Sequence, residues 1–186
     1  AKVAADKAGI IKPGAIAVLA AQAPEAAEIL LRRAAEVDAR VAREGLEFGV
    51  RRRVVALGGQ QLALLGVGGT YDDIFLPLYG AHQASNAAAA LAAAEAFLGA
   101  GAGSGALDLD TVRAAFATAS SPGRLEAVRS APTVLVDAAH NPHGMAATVA
   151  ALTESFDFRR LVGVVAVLAD KDVRGMLAVL EPVLDD

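Results

Sequence analysis

Between Ala15 and Gln22 the chain reads AIAVLAAQ, a run without a charge, and Pro24 then opens a long helical pattern, PEAAEILLRRAAEVDARVARE. An uncharged run of strand length suits a strand covered on both faces, and such strands belong to sheets flanked by helices. Acidic residues lead the helical pattern and arginines follow, as the helix dipole favours, with Gly45 as the expected stop. Strand, helix and further strands make a βαβ-like rhythm, which predicts an α/β fold with a mainly parallel sheet.

A helix tail over 2–9 precedes that run, joined to it through a Pro13-Gly14 turn. From about 46 to 79 the pattern shortens. RRRVVALGGQQLALLGV predicts two strands about Gly58-Gly59, and GGTYDDIFLPLYG a third. AHQASNAAAALAAAEAFLGA (81–100) has high helix propensity, GAGSGA is a loop, and DLDTVRAAFATA is a shorter helix capped by Asp108 or Asp110. Turn residues cluster in SSPGR (120–124), the best domain boundary. Beyond it the pattern predicts strands at 125–129 and 133–137, a helix at 142–155, a strand at 161–168 and a helix at 173–184. The first residues start inside a helical pattern with no cap, and the last follow a helix with no further strand. A piece of a larger enzyme is therefore expected.

Composition narrows the partners. The net charge of -4 is dispersed, with no arginine–aromatic cluster, so no nucleic-acid partner is expected. The absence of cysteine excludes disulfides and thiolate metal sites. LVGVVAVLA (161–169) is too short to cross a bilayer, and AKVAADKAGI lacks a signal-peptide pattern. A soluble protein of a reducing compartment is the expectation.

The chemistry-bearing residues gather at strand ends. In VLVDAAHNPHGMAATV (134–149) an apolar strand ends at Asp137, His140 follows, and Asn141-Pro142 opens a helix with His143 in its first turn. Ligands of open α/β sheets bind where strands end and helices begin, and a helix N-terminus suits an anion. A carboxylate there accepts bonds from ribose hydroxyls; alternatively, Asp137 and Asn141 only cap the helix. Arg124 is either a phosphate contact or a solvated arginine. In LADKD, Asp170, Lys171 and Asp172 sit at another strand end, where capping of the last helix is the simpler role. His82, Gln83 and Asn86 share a helix start, and amide side chains suit a purine edge as well as an ordinary polar first turn. No glycine-rich phosphate loop, H-E-x-x-H, G-x-S-x-G or dinucleotide fingerprint is present, so a phosphate cradle would lie outside these residues.

In this order, DKAGIIKPG, LPLYGAHQASNAAAA, SPGRLE, VLVDAAHNPHG and VLADKD resemble the folylpolyglutamate synthase/dihydrofolate synthase family of the Mur ligase superfamily. The resemblance spans nearly the whole chain. It implies that 1–120 are the C-terminal part of a P-loop-type, ATP-binding central domain, and that 121–186 open a Rossmann-like C-terminal domain. It implies an ATP- and magnesium-dependent ligase that adds L-glutamate to dihydropteroate or to folate polyglutamates through an acyl phosphate. It further implies that Lys7 is carbamylated and helps hold magnesium, which requires the neutral amine. Asn86 would contact adenine, with His82 and Gln83 shaping that helix start. Arg124 would reach phosphate, Asp137 would bind ribose and His140 would face the phosphates. Asp170 and Lys171 would lie in the cleft without an assigned role. A cytoplasmic monomer is implied as well. Another Mur-type ligase acting on a cell-wall precursor, or a noncatalytic nucleotide-binding module, are the competing readings.

Overall fold

The computed structural model describes residues 2–99 and 105–185, so GAGSGA lies up to Ser104 outside the described residues. Two units make up the chain, Ala1–Arg53 with Leu62–Ile74 and Ala84–Ala115, and Val54–Gln61 with Phe75–Gln83 and Phe116–Asp186.

In the first unit α1 (Lys2–Ala8) packs along α2 (Pro24–Glu36), and α2 joins β1 (Ile16–Leu19) to β2 (Arg40–Arg43). The strands pair in parallel, from Ile16 against Arg40 to Leu19 against Arg43. Ile11, Ala17 and Ala34 are buried there, with Leu30, Val37 and Val41 packed around them. This corrects the long helix expected to run to Gly45. Its last third is a strand: Asp38 turns left-handed at φ 53, and the chain then satisfies its amides on β1, Arg40 N–H donating to the Ala15 carbonyl. Pairing with an open strand outweighs the helix propensity of that alanine- and arginine-rich stretch.

The expected hairpin is present, as β3 (Gly49–Ala56) and β4 (Gly59–Leu65), and β5 (Thr70–Leu76) completes a sheet of order β3-β4-β5. Strands joined by such short turns cannot be parallel. Among the described residues, parallel pairing is limited to β1 with β2 and an isolated bridge of Glu44 to Phe48, which corrects the expectation of a mainly parallel sheet. On β5 the left-handed Asp73 (φ 58) shifts the alternation, so that Tyr71, Ile74 and Leu76 all point inward.

Helix α3 (Ala81–Leu98) buries Ala84, Ala87, Ala88, Leu91 and Ala92, the one-sided stripe that helical spacing produces. The stripe ends on Glu95, which is 0% exposed. Its carboxyl group accepts hydrogen bonds from the Tyr71 hydroxyl (2.6 Å), Val67 N–H (2.6 Å) and Gly68 N–H (3.1 Å). The Tyr71 oxygen in turn accepts from Leu107 N–H at 2.7 Å. One side chain thus fastens the β4–β5 turn, β5, α3 and the segment before α4 (Leu109–Ala117). Asp108 caps α4 through the Thr111 amide and hydroxyl, at 2.8 and 2.6 Å.

In the second unit β6 (Glu126–Ser130) and β7 (Thr133–Val136) form an antiparallel hairpin. They are followed by α5 (Pro142–Ser155), which matches its expected span, and by α6 (Val173–Leu180) with a 3-10 turn at Glu181–Val183. The strand expected at 161–168 is not formed: that stretch finds no ladder partner among the described residues, and Val164 is 97% exposed. A run of apolar residues becomes a strand only where another strand offers its edge. No helix of the described residues is long and apolar enough to cross a membrane.

Glu95→Ala removes the acceptor of three buried donors and is expected to cost about 3 kcal/mol or more, read as a lower urea midpoint. Burial, and next the bond to Glu95, push the Tyr71 phenol up from 10.0 to about 12. The folded state therefore holds that proton more tightly than the unfolded chain. This contribution to stability is complete below pH 10 and lost as pH rises through about 12. Urea midpoints across that window should fall in the wild type and fall less in Tyr71→Phe.

Candidate functional site

Asp137 stands one residue past the end of β7, and its carboxylate fastens three pieces of chain. Oδ2 accepts from Leu125 N–H at 2.8 Å, while Oδ1 accepts from Ala139 N–H at 2.8 Å and from the Thr148 hydroxyl of α5 at 2.9 Å. Ala138 N–H donates to the Gly123 carbonyl at 2.8 Å, so the SPGR turn and the loop after β7 are laced edge to edge. The turn is closed by Arg124 N–H on the Ser121 carbonyl and by Gly123 N–H on Glu126 Oε2. Oδ1 is occupied twice; Oδ2, with one bond, keeps a lone-pair direction for a ligand.

The same loop presents His140, exposed, with Nδ1 3.1 Å from the Ala138 carbonyl oxygen. A carbonyl only accepts, so that contact places the proton on Nδ1 and leaves Nε2 as the nitrogen for a ligand. Asn141 then caps α5 through Gly144 N–H at 2.8 Å, with Pro142 in the first turn. Asp172 caps α6 in the same way, through Gly175 N–H at 2.9 Å. A Cβ on Gly175 would meet the Pro142 ring at 2.7 Å, so the N-terminal ends of the two helices lie side by side. Capping is thus the structural role of Asn141 and Asp172, whereas Asp137 reaches its helix through Thr148. Lys171 pairs with Asp170 at 2.7 Å, and that hydrogen bond holds the exposed Asp170 carboxyl below its ordinary range.

Beside the SPGR turn lies a groove of about 350 Å³, lined by Leu78, Tyr79, Ser121, Arg124 and Leu125 among others. The Arg124 guanidinium is exposed and makes no ion pair among the described residues. The 77–80 wall is anchored from beneath by Gln60, 1% exposed, whose amide donates to the carbonyls of Leu78 (2.8 Å) and Gly80 (3.1 Å).

Arg124, Asp137 and His140 therefore come together on two laced loops of the second unit. Lys7 and Asn86 belong to the first unit. Asn86 is exposed in the second turn of α3, Gln83 is buried and His82 half-buried. Lys7 is exposed on α1, and among the described residues no group of three His, Asp or Glu is placed to hold a metal. The described residues alone do not make a magnesium site. Sequence reasoning missed Thr148, Gln60 and Glu95. For Glu95 a signal existed, since it continues the i, i+3, i+4 stripe of its alanines; for Thr148 and Gln60 none did.

A strand end, a carboxylate, an imidazole and an unpaired guanidinium beside two helix N-termini are features of α/β enzymes that handle phosphorylated ligands. Residues 123–186 match the family described as Mur ligase, glutamate ligase domain. The chain is 56% identical over its whole length to the dihydrofolate synthase/folylpolyglutamate synthase of Mycobacterium tuberculosis, covering 39% of that protein. The structure of a Mycobacterium tuberculosis folylpolyglutamate synthase complexed with ADP superposes with a TM-score of 0.94 at 54% identity, over 100% of this chain and 41% of that one. A folylpolyglutamate synthase complex with AMPPCP and folate gives 0.89 at 28% identity, over 98% and 44%. Residues 123–186 thus match the glutamate ligase domain of Mur ligases, and the whole chain is similar to folylpolyglutamate synthases/dihydrofolate synthases. It spans about two fifths of the length of these relatives.

Replacing the cap, Asn141→Ala, should cost about 1 kcal/mol, and Asn141→Asp should restore it. Asp137→Ala, which frees two amides and a hydroxyl, should cost about 2 kcal/mol or more. Denaturant midpoints of the three variants check the order.

Proposed function

We propose that the chain is part of an ATP-dependent ligase that adds L-glutamate to dihydropteroate, to the γ-carboxylate of folate polyglutamates, or to both. The observation that carries this reading is the laced pair of loops, which holds the carboxylate of Asp137, the Nε2 of His140 and an unpaired Arg124 in one unit. Relatives described with ADP and with AMPPCP and folate support it. In this reading residues 1–120 are the C-terminal part of the ATP-binding central domain, and 121–186 the N-terminal part of the C-terminal domain.

A carboxylate resists attack by an amine because oxide is a poor leaving group. Transfer of the γ-phosphoryl group of ATP to that carboxylate gives an acyl phosphate and ADP. The glutamate amine then displaces phosphate, forms the amide bond and loses its proton. Catalysis of such transfer is mostly positioning and charge stabilisation. Arg124 supplies a charge that pH does not remove, and His140 presents Nε2 toward the phosphates. Asp137 offers its remaining Oδ2 lone pair to a ribose hydroxyl, and Asn86 offers its amide to the adenine edge. Magnesium enters this reading through ligands outside the described residues, with Lys7 as the residue expected beside it. The reading is that of a cytoplasmic monomer whose partners are small molecules, with no nucleic acid or membrane.

The full-length protein should release ADP only when L-glutamate and either dihydropteroate or tetrahydrofolate are both present. Turnover with a UDP-linked cell-wall precursor instead would make it another Mur-type ligase, and ATP binding without glutamate-dependent ADP release would make it a noncatalytic module. Arg124→Ala should lower kcat by about a hundredfold, the scale of losing one electrostatic donor, while leaving adenosine binding intact.

A further inference from the structure

The segment that enters α3 is held against α5. The rings of Tyr79 and Phe156 pack with centroids 4.7 Å apart, tilted by 55°. Phe156 is the residue that closes α5 at its C-terminal end. Next to Tyr79, Gly80 turns at φ +93, and a Cβ there would meet Ala151 Cβ of α5 at 2.6 Å and the His82 ring at 2.8 Å. Ala151 is 1% exposed. The far end of the same helix begins at Asn141, directly after His140, and its middle is bonded to Asp137 through Thr148. A helix of 14 residues is a rod of about 21 Å. One rod therefore carries the Asp137–His140 loop near its start and the entry to α3, with His82 and Gln83, at its close. Tyr79 also lines the groove beside Arg124, whereas Phe156 does not.

We propose that the Tyr79–Phe156 ring pair is a positioning device for the nucleotide: it sets segment 77–83 on α5, so that the base-recognising helix start and the phosphate-facing loop are held at a fixed separation. The proposal rests on the nucleotide reading above. Both residues act through others. Tyr79 acts through the chain leading to His82 and Gln83, and Phe156 acts only through Tyr79. The ring, not the phenol hydroxyl, carries the effect.

The test measures KM for ATP, KM for glutamate and kcat in the full-length protein, for Tyr79→Ala, Phe156→Ala, the double variant, and Tyr79→Phe. An aromatic pair of this kind is worth about a three- to tenfold change in an equilibrium constant. Each alanine variant should raise KM for ATP by that factor and leave KM for glutamate and kcat within about twofold. The double variant should do no more than either single one, since the two residues share one contact. Tyr79→Phe should behave as wild type. Phe156→Leu, which keeps volume but loses the ring, should reproduce Phe156→Ala if the latter folds poorly. The proposal is overturned if Phe156→Ala and Phe156→Leu leave KM for ATP unchanged while Tyr79→Ala raises it, because Tyr79 is then only a direct contact. It is equally overturned if the variants lower Tm with no selective change in KM for ATP. Calorimetric ADP binding by the wild type separates the two levels: failure to bind removes the nucleotide reading itself, whereas binding shared unchanged by all variants removes only the ring pair.

Discussion

The carboxylate of Asp137 is the constraint on which the candidate site depends. Leu125 just after the SPGR turn, Ala139 in the loop after β7, and Thr148 of helix α5 each spend a donor on it. Together with the amide of Ala138 on Gly123 and the β6–β7 ladder that starts at Glu126 and Val136, that acceptor holds Leu125, and hence Arg124, against the loop that carries His140. A ligand contact at Oδ2 would thus be made by a group whose orientation is already determined. Preorganisation of this kind lowers the reorganisation needed on binding.

Polar anchors play a similar part elsewhere in the chain. Much of α3's buried stripe is alanine, which brings backbones close but buries little apolar area per residue. A stripe of nearly identical methyl groups also says little about register, since sliding the helix by a turn would meet almost the same surface. Glu95 with Tyr71, and Gln60 with the carbonyls of Leu78 and Gly80, each have one arrangement that satisfies their donors and acceptors. They select one register among packings that hydrophobic burial leaves nearly equivalent.

Much of this is legible in the amino-acid sequence. The bounds of helix α5 are legible because Asn141, Pro142 and the alanine run carry strong local signals, the strands expected at 125–129 and 133–137 are β6 and β7, and the β3–β4 turn is marked by Gly58-Gly59. The failures share a cause. Residues 37–43 look helical, and residues 161–168 look like a strand, but both outcomes depend on whether a neighbouring edge is available, which no local pattern records. The site residues of the second unit could be placed at a strand end by inspection. That Asp137 would be tied to Thr148 could not, because that bond joins residues 11 apart across a loop whose path the sequence does not state.

Gly66 and Glu95 carry a consequence of another kind. The carboxyl group of Glu95 occupies the space where a side chain on Gly66 would begin. Either position is free to diverge only after the other has changed: a shorter residue at 95 opens room at 66, but alone it strands the donors of the β4–β5 turn. Single substitutions at either position therefore meet a clash or stranded donors, which a matched change at both would relieve.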